Sequence, residues 1–99
     1  DSMLADVDRF VEEFKRSHGF ELRFRKPAKI ALVKLAGQEN RSVFAFCEKK
    51  FADFQHGLSI ISQRTGKKSF VIERKAIDDP DKELSRWVID SFGKKPESE

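Results

Sequence analysis

A single cysteine, Cys47, excludes an internal disulfide framework, and with only His18 and His56 beside it a structural zinc site lacks ligands. Apolar runs such as Ile30–Val33 stay far below the ~20 residues needed to cross a bilayer, and no secretory-signal pattern occurs at the start. No glycine-rich phosphate loop is present: Thr65-Gly66-Lys67-Lys68 lacks the upstream glycine and the strand-to-helix context of a P-loop. Tyrosine is absent and there is one tryptophan, whereas phenylalanine occurs ten times. A lone thiol suits a reducing compartment, so the expectation is an intracellular protein of the nucleus or cytoplasm, not held in a membrane.

The 99 residues are 38% hydrophobic and 37% charged, polar for a globular chain but too apolar for disorder. They suit one small domain, expected over residues 3–93, with a polar tail at 94–99. Asp1-Ser2 before Met3 reads as a junction, so the domain is expected to belong to a larger protein. The net charge of +3 hides a strong asymmetry. Residues 1–19 carry −2, residues 20–77 carry +8 and residues 78–99 carry −3. Such a distribution bears on partners and steering rather than on fold.

Met3, Leu4, Val7, Phe10, Val11 and Phe14 recur at three- and four-residue spacings and predict an amphipathic first helix. Asp1 or Ser2 is placed to cap it, and Gly19 to end it in the left-handed conformation. Phe20–Arg25 alternates strictly, which predicts a half-buried strand interrupted by Lys26-Pro27. Lys29–Ala36 is apolar on both faces and reads as an inner strand. Gly37–Arg41 is a polar turn, followed by a third strand over Ser42–Cys47 with Val43, Ala45 and Cys47 on one face and Phe44 and Phe46 on the other. Residues 49–63 read either as a helix, the favoured assignment, or in part as a strand pairing with Ser69–Ala76. Ser69–Lys75 is a strand in both versions. Asp79-Pro80-Asp81 opens a last helix with a cap and a first-turn proline, and Leu84, Trp87, Val88 and Phe92 form its buried stripe before Gly93. The expected fold is α+β, a mixed sheet of about four strands in the order α-β-β-β-(α)-β-α.

No catalytic residue, metal ligand set or cofactor site is assigned. Cys47, on an apolar strand face, reads as a buried structural thiol, and His18 at a helix end as a complement to the helix dipole. The principal expectation is a non-enzymatic binding domain that contacts nucleic acid through a basic central sheet. Its candidate phosphate-binding residues are Arg23, Arg25, Lys26 and Lys29, with a second cluster of Arg64, Lys67, Lys68, Arg74 and Lys75. Phe44 and Phe46, on one face of an inner strand, are candidates for stacking on bases or for an interface. The alternative is a protein-interaction or homodimerisation module that buries a second, uncovered sheet face. Trp87 reads as a core anchor, with an interfacial hot spot as its alternative.

Two short strings resemble nuclease signatures. Glu48-Lys49-Lys50 after the third strand, with the α-β-β-β-α-β order, resembles a restriction-endonuclease-like core, which implies a degenerate domain of that kind as a third reading. The aspartate that resemblance implies near Pro27 is replaced by Ala28. Glu73-Arg74-Lys75 with Asp79 resembles the signature of structure-specific nucleases of the XPF type, but only one helix follows it.

Overall fold

The computed structural model describes residues 2–92, and within it the first helix, α1, spans Ser2–His18. Val7, Phe10 and Phe14 of its stripe are buried, Val11 is half-buried and Leu4 is exposed. Gly19 ends the helix at φ +79°, with its N–H donating to the Lys15 carbonyl at 2.8 Å. The capping role considered for Asp1 lies outside the described residues, as do Gly93 and the 94–99 tail. Strand β1, Glu21–Phe24, buries Leu22 and Phe24, and Phe20 before it is buried as well.

The expected strand over Lys29–Ala36 is instead the body of helix α2, Lys26–Gln38. Arg25 takes an extended conformation (φ −66°, ψ 154°), and Pro27 sits in the first turn, where its missing N–H costs no hydrogen bond. Ala28, Ala31, Leu32 and Ala36 are buried at helical spacing, so the run that looked apolar on both strand faces is one helical stripe. Gly37–Arg41 is the helix end and a helix-to-helix link rather than a hairpin turn. Asn40 adopts φ +55°, and the Arg41 N–H closes on the Ala36 carbonyl at 3.0 Å.

The expected third strand over Ser42–Cys47 is likewise a helix, α3, Val43–Lys50. The Ser42 hydroxyl caps it by accepting a 3.1 Å bond from the Ala45 N–H, and Val43, Phe46 and Cys47 form its buried side. The ambiguous segment is helical, with a break at residues 51–53 and helix α4 over Phe54–Thr65. Gly66, at φ +77°, ends α4. Strand β2 is Ser69–Ile72, shorter than the expected Ser69–Lys75, because Arg74–Asp78 forms the short helix α5. Helix α6, Pro80–Phe92, is capped by the Asp79 carboxylate, which accepts from the Lys82 N–H at 3.2 Å. Leu84, Trp87 and Val88 pack inward, but Phe92 does not join them and is 58% exposed.

The expected four-stranded α+β sheet is therefore overturned: the described chain has six helices and one pair of strands. β1 and β2 pair in parallel, with Leu22 opposite Phe70 and Phe24 opposite Ile72. A parallel pair needs a crossover, and α2, α3 and α4 provide it. The core is a chain of phenylalanine contacts. Phe10 meets Phe24 at 6.5 Å and Phe51 at 5.9 Å between ring centroids, Phe51 meets Phe54 at 4.9 Å, and Phe54 meets Trp87 at 5.9 Å.

Candidate nucleic-acid interface

The nine basic residues singled out in the sequence do not form one patch. Parallel strands put both following helices at one end of the sheet, and three of the nine sit there. The Arg25 N–H donates to the Ile72 carbonyl at 2.9 Å, Lys26 opens α2, and Arg74 opens α5. Between α2 and α5 lies a groove of about 330 Å³ lined by Lys26, Pro27, Ile30, Ala31, Lys34 and Arg74. No carboxylate lines it. Among the described residues Arg25, Lys26 and Lys34 have no ion-pair partner. Arg74 has only Asp78, one helical turn away at 3.9 Å and solvent-exposed, a pair of little strength. The opening turn of α2 contains no acidic residue, so the positive end of its dipole adds to the same field.

Lys67 and Lys68 stand at the opposite end of the strands, roughly 13 Å away at ~3.3 Å per residue. Their ammonium groups lie 5.6 Å from the Phe70 ring centre and 5.5 Å from that of Phe20. The Arg64 guanidinium covers the exposed Phe92 ring at 3.8 Å. The remaining three are engaged within the protein. Arg23 bonds Glu21 at 3.2 Å, and that bond, with one from the Ser69 hydroxyl, holds the Glu21 carboxyl below the ordinary range. Lys29 reaches Asp8 on α1 at 4.0 Å. Lys75 bridges Glu73 at 4.0 Å and the buried Glu83 at 3.7 Å. Glu83 also accepts two bonds from Arg86, at 2.9 and 2.7 Å, which keep that guanidinium protonated beyond its usual range.

Lys34 and Ile30 were missed. Lys26, Ile30 and Lys34 stand four residues apart, the spacing of one outer helix face, which has meaning only once this segment is read as a helix. Ile30 is 58% exposed in the midst of the cations.

Phe44 and Phe46 do not lie together on an open sheet face, because no strand exists there. Phe46 is 2% exposed. Phe44 is half-buried, edge-on to Phe10 at 6.3 Å and covered by the Arg9 guanidinium at 4.3 Å. The sheet is reduced to two strands, and its second face is the small exposed surface of Arg23 and Val71. Cys47 is fully buried, and burial, with a smaller contribution from Asp6, pushes its thiol up to about 12. His18 stacks edge-on to Phe14 at 4.7 Å, and His56 is exposed.

The nuclease strings fall on unrelated features. Glu48 is exposed on a helix, Lys49 pairs with Glu39 at 3.6 Å, Ala28 is buried, and Asp79 caps α6. The multi-stranded sheet implied by a restriction-endonuclease-like core is not present. Among the described residues no three or more of His, Cys, Asp and Glu are grouped to hold a metal ion, and no helix is long and apolar enough to cross a membrane. Comparison with protein families, curated proteins and solved structures gives no match to this chain.

Proposed function

We propose that this domain binds nucleic acid through the groove between α2 and α5, with Lys26, Lys34 and Arg74, flanked by Arg25, contacting backbone phosphates. One observation carries the reading: three cations, Lys26, Lys34 and Arg74, line a groove that no carboxylate lines, and Arg25 directly precedes Lys26. Arg23, Lys29 and Lys75 do not line the groove, and each has a carboxylate partner of its own. Lys26 and Lys34 stand two helical turns apart, roughly 12 Å at ~1.5 Å per residue. A surface of that length engages a few phosphates, which means modest affinity and a shallow salt dependence. Ile30 offers an apolar contact to sugar or base between them.

The test is a salt-titrated binding series with duplex DNA, single-stranded DNA and RNA, starting near ~50 mM salt. With three or four phosphates neutralised, the logarithmic slope on duplex DNA should be about −3. Lys26→Glu with Lys34→Glu should weaken binding at least ~10-fold and remove about two contacts from the slope. Lys67→Glu with Lys68→Glu, at the far end of the strands, should change both much less. Equal effects of the two pairs would move the site away from the groove. No binding to any of the three nucleic acids would end the proposal.

A further inference from the structure

Among the described residues the outer edge of β2 is unpaired at Val71, while the Glu73 carbonyl farther along accepts from the Ala76 N–H at 3.0 Å, and this edge faces a cleft. In the parallel ladder the Glu21 N–H donates to the Lys68 carbonyl and the Arg25 N–H to the Ile72 carbonyl, each at 2.9 Å. That register turns the backbone groups of Phe70 and Ile72 toward β1 and those of Ser69, Val71 and Glu73 away from it. No described hydrogen bond uses the Val71 N–H or C=O. Val71 itself is 41% exposed. On this side, between β2, the end of α4 and the last turns of α6, lies a cleft of about 310 Å³. Ile61, Phe70 and Trp87 form its apolar part, the charged Lys67, Glu73, Arg86 and Asp90 also line it, and no β1 residue does. The Trp87 indole is held in place, stacked on Phe70 at 17° and edge-on to Phe54.

We infer that this cleft receives an extended peptide segment of a partner protein, which adds to β2 as a third strand. The Val71 N–H and C=O bond the peptide backbone, and alternate peptide side chains point into the cleft, as in other strand-addition complexes. One large apolar side chain rests on Trp87 and Ile61. Lys67, which has no ion-pair partner among the described residues, takes an acidic residue at one end. Beyond the apolar position the lining is mixed in charge: Glu73 pairs with Lys75 at 4.0 Å, and Arg86 stands in the cleft beside Asp90. The site is independent of the cationic groove: it uses the opposite edge of the two-strand unit from α1 and none of Lys26, Lys34 or Arg74.

The probe is a random heptapeptide display library selected against the chain, followed by fluorescence anisotropy of the enriched peptide. Selection should enrich one large apolar position with an acidic residue to one side of it. Val71→Pro deletes only an outward N–H, a substitution edge strands tolerate, and should weaken the peptide at least ~10-fold. Val71→Thr retains the N–H and should bind within about twofold of the original chain. Hydrogen exchange at the Val71 amide should slow when the peptide is added, a readout that does not depend on any variant folding. Failure to enrich a peptide, unchanged binding by a folded Val71→Pro chain, or unchanged exchange at Val71 would each overturn the inference. So would equal binding by the isolated aromatic residue, which would make the cleft a small-molecule pocket.

Discussion

Beside β1 the protein is filled with phenylalanine, whereas beside β2 it leaves a cleft. On the first flank Phe24 meets Phe51 at 5.6 Å, Phe10 meets both, and α1 and α3 pack together to close the space. On the second, Phe70 and Trp87 are just as well oriented against one another, yet Val71 and the charged residues of the cleft face water. One pair of strands thus has a flank closed by packed rings and a flank on which Val71 stays exposed beside rings that belong to the core.

The sharpest way to break this comparison is to remove a ring from the closed flank. Phe51→Ala should cost about 3–5 kcal/mol, enough to unfold a marginal domain of this size, whereas Val71→Ala should cost about 0.5 kcal/mol or less. Urea-unfolding midpoints measure both, and similar losses would erase the distinction.

The closed flank also contains Cys47, whose pKa in the fold is pushed up to about 12. An unfolded thiol ionises near ~8.5, so the neutral form is favoured in the folded state. That contribution is complete below about pH 8.5 and is lost as the pH rises toward about 12. At pH 10 the loss should reach about 2 kcal/mol, at ~1.36 kcal/mol per unit. The decline should be shallower in Cys47→Ala; an identical pH profile would place its origin elsewhere.

A smaller effect is expected where the open flank meets the core. A Cβ on Gly57 would lie 2.6 Å from Leu84 Cγ and Cδ1 and 2.7 Å from Cδ2, so α6 approaches α4 only because this residue is glycine. Gly57→Ala gains about 1 kcal/mol in helix propensity but incurs about 1–3 kcal/mol of overpacking, for a net loss of about 1 kcal/mol. In a Leu84→Ala background the same substitution should become neutral or stabilising. Thermal denaturation of the four chains checks the sign, and a loss that persists without Leu84 would rule out the contact as its cause.

Local signals in the sequence located the ends of the chain well. The α1 stripe, Gly19, the Phe20–Phe24 alternation and the Asp79-Pro80 start are each read from a few neighbouring residues, and each is present in the structure. The middle misled because Ile, Leu, Val and Phe suit both strands and helices. Over Lys29–Ala36 the buried alanines and Pro27 were the better guide, and over Ser42–Cys47 it was the serine cap. The same error concealed the site. Lys26 and Arg25 were visible as cations, but Lys34 joins them only through a helix, and Arg74 only through a parallel pairing with β1 that no local pattern specifies. Gly57 within α4 is explained only by Leu84, a residue on another helix.

The crossover has a temporal consequence. β1 and β2 cannot meet until residues 25–68 have folded back, so the strand pair has a high contact order, unlike helices that need only local contacts. Both surfaces depend on that pairing, since it brings Arg74 to Lys26 and aligns the edge of Val71. A chain with its helices made but its strands apart would have every residue of the two surfaces and neither surface. Ligand binding at either one would therefore report that the two strands have paired.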